Sequence, residues 1–208
     1  MTRSGRGFEG EVDQAFWQGI YDEGAPRFDL KGPSAPFLDW LDESQPPAGR
    51  AIVPGCGFGH DVLELARRGW DAVGVDFAVT PIESGRAAAA KAGLAAKATF
   101  VQVDVLTLDH PASYDLLFEQ TCYCAIEPHR RDEYARFAAR VVKPGGTLVF
   151  VVFPVDGRSG GPPFNIGVEE VPLRFAADFD LIRIGPPARA SAPARAGKEL
   201  FAELRRKS

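Results

Sequence analysis

The 208-residue sequence has few of the features that mark secreted, membrane-spanning or disulfide-rich proteins. It contains only three cysteines, too few for a disulfide framework, which indicates a reducing compartment and predicts a cytoplasmic location. No apolar run approaches the roughly 20 residues that cross a bilayer. Residues 1–10 carry arginines with no apolar segment behind them, so they do not resemble a secretory signal. No membrane partner is therefore expected.

An excess of positive charge is missing as well. Lysine and arginine number 24 against 28 aspartates and glutamates, which gives a formal net charge of -4 and a pI near 5.5. Nucleic acids and anionic membranes select basic surfaces, so neither is an expected partner. Cys122 and Cys124 have no second cysteine pair and no histidine at ligand spacing, so no metal site is predicted. We expect a monomer that acts on a small molecule.

What the sequence does contain is an alternation of strand and helix patterns. Strands alternating with helices over short links predict an α/β fold, a doubly wound and mostly parallel sheet with helices on both faces. We predict one domain over residues 1–208, with a core at 51–208 and a helical N-terminal cover at 1–50. The predicted strands are 51–53, 72–75, 99–103, 115–119 and 147–153, and the predicted helices are 11–21, 35–41, 60–68, 80–90 and 129–142.

Local signals predict where some elements begin and end. Thr80 and Glu83 have the spacing of a capping box at the start of the fourth helix. Residues 143–146, Lys-Pro-Gly-Gly, predict a turn after the fifth helix. Glu127 is expected to cap the helix that follows it. Glycine, proline and alanine predict loops at 156–163 and 186–193.

Gly55, Gly57 and Gly59 alternate in the segment that follows the first predicted strand. Glycine has no Cβ, so such a segment can turn sharply and let the backbone approach a ligand closely. Asp76 ends the next strand, where its carboxylate can accept hydrogen bonds from two ribose hydroxyls. Ligands of doubly wound sheets bind at the carboxyl ends of the strands, so these residues predict a site for a nucleoside-containing cofactor.

Two alternatives accompany this interpretation. A dinucleotide-binding loop would place its third glycine where His60 stands, which argues against a nicotinamide cofactor. Asp104, after the third strand, is either a turn or helix cap or an acceptor for an adenine amino group, with Val105 packed on the adenine ring. Its position together with Asp76 favours the adenine interpretation.

At this point the residues resemble a known group, the thiopurine methyltransferase superfamily, and particularly its halide/thiol methyltransferase branch. The Cys-Ala-Ile-Glu-Pro and Gly-Gly-Pro-Pro blocks are specific to this group, whereas the glycine loop is shared by all class I methyltransferases. Residues 195–199 also resemble the family's last strand. The main blocks are Phe16-Trp17 with Tyr21, Gly24 and Phe28-Asp29-Leu30, Val53 to Gly57, Thr121 to Pro128, and Gly160 to Phe164.

The resemblance implies a Rossmann-like class I fold and an enzyme that uses S-adenosylmethionine and releases S-adenosylhomocysteine. In the family the N-terminal aromatics fold over the cofactor, although Trp17 and Tyr21 are four residues apart and could instead share a core-facing side of a helix. Gly55 would contact the methionine portion. The expected cofactor-binding residues are Trp17, Tyr21, Phe28, Gly55, Gly57, Gly59, Asp76, Phe77, Asp104, Val105 and Gln120.

For the acceptor, the resemblance implies a small soft nucleophile, in the first place a thiol or other sulfur species. The expected substrate-binding residues are Phe28, Tyr123 and Phe164, although Phe164 could only anchor its loop. The branch usually has tryptophan at the position of Phe28 and tyrosine at that of Phe164, so halide and thiocyanate are not assumed. Halide, tellurite or another small acceptor is the alternative, and an NAD(P)-binding oxidoreductase or a non-catalytic S-adenosylmethionine sensor is a remote one.

The expected reaction is an in-line displacement at the methyl group, S-methylation, in a desolvated aromatic pocket. A free thiol with a pKa near 8.5 is already partly ionised at neutral pH, so a dedicated general base is not required. His60 and Glu127 are candidates for such a base. The sequence assigns no catalytic residue.

Overall fold

The computed structural model describes residues 12–24 and 26–208. The expectation about residues 1–10 and the predicted helix start at residue 11 lie outside the described residues. The helices are α1 Gln14–Asp22, α2 Ala35–Ser44, α3 His60–Arg67, α4 Val79–Lys91, α5 Arg131–Val141 and α6 Glu170–Phe175. The strands are β1 Arg50–Pro54, β2 Asp71–Asp76, β3 Ala98–Gln102, β4 Tyr114–Gln120, β5 Val142–Val152, β6 Phe179–Gly185 and β7 Leu200–Arg206.

The strands form one seven-stranded sheet in the order β3-β2-β1-β4-β5-β7-β6. The first five strands pair in parallel, and β7 is antiparallel to both β5 and β6. The predicted α/β class with a mostly parallel sheet is therefore confirmed. The strand order reverses between β1 and β4, and doubly wound sheets bind ligands at such a point. The antiparallel β7 distinguishes this sheet from the 3-2-1-4-5-6 order of dinucleotide-binding folds.

Two apolar layers cover the sheet, one on each face. Helices α2, α3 and α4 contribute to one layer, whereas α5 and α6 contribute to the other. Phe37 of α2 is fully buried and stacks on Phe118 of β4, with ring centroids 3.7 Å apart. Helix α2 is therefore part of the core, and within the predicted cover it is α1 and the segment 26–34 that lie over the carboxyl ends of the strands.

Helix α1 supplies the N-terminal cap that α4 lacks. No side chain caps α4 from its own N-cap residue, Ala78. Instead the Val79 backbone N–H donates to Oε1 of Gln18 at 2.7 Å. The capping box predicted at Thr80 is wrong, because α4 begins one residue earlier and the Thr80 hydroxyl donates to Asp22 of α1 at 2.9 Å. The start of α4 is therefore stabilised from outside the helix.

Other predicted boundaries differ in detail. Glu127 caps no helix with its side chain, and its Oε1 accepts from the Val12 N–H at 3.2 Å. Residues 143–146 lie within β5, where a register shift against β4 accommodates them. Residues 195–199 precede the last strand rather than forming it. Neither β6 nor β7 was predicted from an apolar pattern. For β6 the reason is that it lies at the sheet edge and most of its side chains are exposed.

Candidate active site

A cavity of about 550 Å³ lies at the carboxyl ends of the parallel strands, beneath α1. Its volume is in the usual range for sites that bind small ligands. Most of the predicted cofactor-binding side chains line it. They are Trp17, Tyr21, Phe28, Gly55, Gly57, Asp76, Phe77, Asp104, Val105 and Gln120.

Two of the three loop glycines form the floor of this cavity. A Cβ on Gly55 would lie 2.7 Å from Cβ of Cys122, and a Cβ on Gly57 would lie 3.3 Å from the Tyr21 hydroxyl. Both glycines have positive φ angles, 55° and 51°, which residues with a side chain rarely adopt. Close packing and backbone conformation both require glycine at position 55, whereas at position 57 the backbone conformation favours it. The loop exposes backbone to the cavity, as the sequence predicts.

Gly59 has a different role from the predicted one. It is not among the residues that line the cavity. A Cβ at this position would lie 2.3 Å from Cε1 of Phe100 on β3. The glycine therefore allows the start of α3 to pack closely on the sheet, and the lining of the cavity does not support the predicted contact between Gly59 and a cofactor.

Asp76 lies at the carboxyl end of β2 with only 7% of its surface exposed. Its Oδ2 accepts from the Gly57 N–H at 3.2 Å and its Oδ1 from the Ala78 N–H at 3.0 Å. Burial raises the pKa of the carboxyl, and these backbone bonds oppose that rise. A carboxylate has about four acceptor positions, so both oxygens keep capacity for ligand hydroxyls.

Asp104 and Val105 lie together at the end of β3 and both line the cavity. Oδ1 of Asp104 accepts from the Leu106 N–H at 2.9 Å and so caps a single 3-10 turn at Val105–Thr107. The cap interpretation of Asp104 is therefore correct. It does not exclude the second interpretation, since the carboxylate also faces the cavity and has a second oxygen.

Aromatic side chains form the wall that α1 and the segment 26–34 place over the glycine loop. Phe28 packs edge-on against both Trp17 and Tyr21, with ring centroids 5.8 Å apart in each case. Tyr21 also packs against Phe58 of the loop at 5.5 Å. Because Tyr21 is buried and Trp17 is half-buried, these residues serve as packing residues and as cavity wall at once.

Gln120 provides a polar group in this wall that has no partner. Its buried Oε1 accepts no hydrogen bond from any described residue, although Gln120 lines the cavity. Buried polar atoms are normally paired, so an acceptor left open here fits a ligand with a donor group. Taken with the glycine floor and Asp76, it shows that the cavity suits a polar nucleoside-type cofactor.

The segment after Gln120 is fixed from below by a buried carboxylate. Oε1 of Glu119 accepts from the N–H groups of Cys122 and Tyr123, each at 2.9 Å, and Oε2 accepts from the Tyr134 hydroxyl. Burial raises the pKa of Glu119 to about 7. Thr121, which lies between Glu119 and Cys122 in the sequence, has a positive φ of 65°, which is uncommon for a residue with a side chain. This carboxylate therefore determines where Cys122 meets Gly55.

Tyr123 and Phe164, predicted to contact the substrate, do not line the cavity. Tyr123 is fully buried in the core, and its hydroxyl donates to Oε1 of Glu170 at 2.7 Å. Arg131 joins this pair, donating to Glu170 at 2.8 Å and to the Phe164 carbonyl at 3.3 Å. Both predicted residues thus belong to a buried network that fastens the loop after β5 to α5.

The same loop contributes other residues, which the sequence did not single out. Pro162 and Pro163 line the cavity together with Phe153, at the end of β5, and Arg195, just before β7. Pro162 and Pro163 lie in the family-specific block, which was an available signal. Arg195 also lay in a block that resembles the family, at 195–199, but that block was interpreted as a strand; only the fold brings residue 195 next to residues 28 and 153.

The two candidate acid–base groups, His60 and Glu127, both line the cavity, and each is held by one partner. His60 Nε2 is 2.9 Å from Oδ1 of Asp29, and Glu127 is bonded to Val12. Burial raises the pKa of the Cys124 thiol to about 12 and that of Cys122 well above its ordinary value. These thiols therefore stay protonated. Within residues 12–24 and 26–208, no cluster of His, Cys, Asp or Glu is placed to hold a metal ion.

Comparisons with known proteins agree with this geometry. The family model described as thiopurine S-methyltransferase matches residues 12–198. Probable thiol methyltransferase 2 of Arabidopsis thaliana is 35% identical over 166 residues, which cover 77% of this chain and 74% of the relative. Thiocyanate methyltransferase 1 of Brassica oleracea is 33% identical over 172 residues, which cover 80% and 76%.

A solved structure shows the same fold at lower identity. The 1,6-didemethyltoxoflavin-N1-methyltransferase of Burkholderia thailandensis, with bound S-adenosylhomocysteine, superimposes with a TM-score of 0.75. The alignment covers 95% of this chain and 88% of that one, at 20% identity. In the described part of the present chain, no helix has the length and apolar character needed to cross a membrane.

Proposed function

Since the chain belongs to the thiopurine S-methyltransferase family, whose members use S-adenosylmethionine, we propose that it methylates the sulfur of a small thiol or related soft nucleophile. The observation that carries this proposal is the cavity itself. The same cavity is lined by the glycine floor, by Asp76, and by aromatic and proline side chains that include Phe28, Phe153 and Pro162. Such a cavity holds a nucleoside and leaves a largely apolar space beside it.

The cofactor would lie over the floor formed by Gly55 and Gly57. We propose that Asp76 accepts from the ribose hydroxyls, and that Asp104 and Val105 contact the adenine. Gln120 would accept from a donor of the cofactor through its open Oε1. Trp17, Tyr21 and Phe28 would cover it from the side of α1. This assignment is supported by the lining of the cavity and by the unpaired oxygen of Gln120.

When bound, S-adenosylmethionine would supply a methyl group on a sulfonium; the acceptor sulfur would form a bond to this carbon as the carbon–sulfur bond of the sulfonium breaks, and the electron pair of that bond would stay on the departing sulfur. The chain's own contribution is placement and desolvation. Phe28, Phe153 and Pro162 exclude water from the acceptor end. The thiol proton leaves to solvent before transfer, because a thiol with a pKa near 8.5 ionises without a protein base.

A binding and turnover experiment tests the proposal. S-adenosylhomocysteine should bind in isothermal titration and raise the unfolding temperature, whereas NADP should do neither. With S-adenosylmethionine, a panel of small thiols should yield methyl thioethers, and matched alcohols and amines should not. Stabilisation by NADP alone would contradict the cofactor assignment, and methylation only of the alcohols or amines would contradict the sulfur acceptor. The single-domain division, the monomeric state and the cytoplasmic location stay predictions.

A further inference from the structure

Arg195 is a buried cation at the acceptor end of the cavity. Only 7% of the residue is exposed, and it lines the cavity beside Phe153. Its guanidinium carbon lies 4.5 Å from the centre of the Phe153 ring, and its Nη2 donates to the Phe28 carbonyl at 3.3 Å. Its buried Nη1 donates to no described residue. One face of the guanidinium is therefore packed, while one nitrogen is left without a hydrogen bond.

The contacts that Arg195 makes within the protein offset only part of the hydration that its guanidinium loses on burial. Glu199 forms a loose ion pair with it, since Nη1 and Oε1 are 3.7 Å apart, too far for a hydrogen bond. Oε1 of Glu199 is itself buried without a hydrogen-bond partner among the described residues. A buried charge normally gains close hydrogen bonds that offset its lost hydration. An unpaired guanidinium nitrogen at a cavity wall fits a ligand that brings an anionic oxygen.

The strand order places Arg195 to one side of the expected methyl position. Gly55 follows β1 and meets Cys122, which follows the neighbouring strand β4. Phe153, on which Arg195 packs, follows β5, two positions from β1 in the sheet. Neighbouring strands are about 4.8 Å apart, so the strand that precedes Phe153 lies roughly 10 Å across the sheet from the strand that precedes Gly55. A group bound by Arg195 is therefore not the atom that receives the methyl group.

We propose that Arg195 binds a carboxylate of the acceptor, and that the acceptor is accordingly a small organic thiol with a carboxylate a few bonds from its sulfur. This inference rests on the proposed methyl transfer to sulfur. A guanidinium recognises a carboxylate through charge-assisted hydrogen bonds, and Nη1 makes no hydrogen bond within the described residues. A single-atom acceptor such as a halide cannot bridge the two positions.

Thiols of equal carbon number that carry either a carboxylate or a hydroxyl group test the proposal. We would compare mercaptoacetate and 3-mercaptopropionate with mercaptoethanol and 3-mercaptopropanol as acceptors. Their S-methylated forms would be titrated into protein loaded with S-adenosylhomocysteine, which measures binding without turnover. The wild type should favour at least one carboxylate over its alcohol by roughly 10- to 100-fold in kcat/KM and in Kd, the scale of hydrogen bonds to a charged group.

Three variants separate recognition from a structural role. Arg195→Met should lower kcat/KM and affinity for the carboxylates much more than for the alcohols and so abolish the preference, while Arg195→Lys should restore part of it. Arg158→Met is the matched control: Arg158 also lies over the Phe153 ring, at 5.5 Å, but is bonded to Asp156 and does not line the cavity. This variant should keep the full preference.

The outcomes distinguish the two proposals. Turnover of carboxylates and alcohols alike by the wild type, or an equal loss of both in Arg195→Met, overturns the role of Arg195 and leaves methyl transfer to sulfur intact. No turnover of any thiol, together with a retained binding preference for the carboxylate thioethers, overturns the proposed reaction and leaves the anion site intact. If Arg195→Met does not fold, the wild-type comparison alone decides.

Discussion

At the scale of single residues, the cofactor end of the site depends most directly on Asp76. Its carboxylate joins the glycine loop to the start of α4 by accepting from Gly57 and Ala78. Desolvation raises its pKa, whereas hydrogen bonds from Ala78, Gly57, Tyr21 and Phe77 favour the ionised form, which gains from any further donor. A ribose would supply such donors, which makes the residue sensitive to loss of charge.

Replacing Asp76 by asparagine should weaken S-adenosylhomocysteine binding by about 1.5–3 kcal/mol, the scale of hydrogen bonds to a charged group. Asparagine keeps the shape and one acceptor oxygen, so the fold should persist. Isothermal titration measures the change. Asp71→Asn is the matched control at the other end of β2, where Asp71 pairs with Lys97 on the surface. Equal affinity in Asp76→Asn and the wild type would show that the ribose assignment is wrong.

The site role of residues such as Asp76 could be predicted from the sequence. A residue at the carboxyl end of a parallel strand lies at the edge of the sheet where ligands bind, and one strand is enough to identify it. Gly55, Gly57 and Gln120 follow the same rule, since each lies at or just after a strand end. Gly59 fits the same spacing of glycines after β1, but it packs against Phe100, which is far away in the sequence. Arg195 was missed for the same physical reason. Its neighbours Phe153 and Phe28 are more than 40 and 160 residues away in the sequence, so no local spacing of residues predicts these contacts.

At the scale of elements, the position of α1 connects cofactor binding to the N-terminal part of α4. Gln18 accepts from Val79 N–H and donates through Nε2 to Thr80 and Asp22, with all three distances at 2.7 Å. One side chain thus caps α4 and holds α1 beside the end of β2. Since α1 also carries Trp17 and Tyr21, the cap and the cavity wall are coupled.

Gln18→Ala should therefore lower both the free energy of unfolding and the affinity for S-adenosylhomocysteine. Loss of a helix cap costs about 1 kcal/mol. Urea unfolding gives the first quantity and isothermal titration the second. Gln14→Ala serves as the control for stability on the same helix, because Gln14 is exposed, caps no helix and, among the described residues, donates to the Phe77 carbonyl; it should cost less free energy of unfolding than Gln18→Ala. A Gln18 variant that loses stability but binds the ligand normally would show that α1 does not contribute to the site.

Element positions were predictable where the pattern was local. The buried parallel strands β1 to β5 appear as apolar runs, and the amphipathic α3 and α5 appear in their spacing. The capping of α4 was not predictable, because Gln18 lies about 60 residues before Val79. The buried network of Arg131, Glu170 and Tyr123 was missed likewise, since it joins segments about 40 residues apart.

At the scale of the whole molecule, buried acids should make stability depend on pH. Glu119 is fully buried, and its pKa is raised from 4.5 to about 7 by desolvation, against the hydrogen bonds from Tyr134, Tyr123 and Cys122. In the unfolded chain the same group titrates near its ordinary value. Between these two values the folded protein holds a proton that the unfolded chain has lost. Stability from this group is thus complete below about pH 4.5 and is lost as the pH rises through about 7.

The test compares the pH dependence of unfolding in the wild type and in Glu119→Gln. The shift from 4.5 to about 7 corresponds to roughly 3 kcal/mol, so the wild type should lose up to about that amount relative to the variant between about pH 5 and pH 8. Asp61, whose burial also raises its pKa to about 7, acts in the same direction and remains in both proteins. Only the difference between them therefore reports Glu119.

Glutamine at position 119 can still accept from Cys122 and Tyr123, so the turn beside Gly55 should persist while the titration disappears. Glu133→Gln removes an exposed carboxyl of α5 and should leave the wild-type pH profile unchanged in shape. Parallel profiles for the wild type and Glu119→Gln would mean that Glu119 is ionised throughout this range. The three hydrogen bonds would then outweigh desolvation, and the carboxylate beneath the cofactor floor would carry a negative charge at neutral pH.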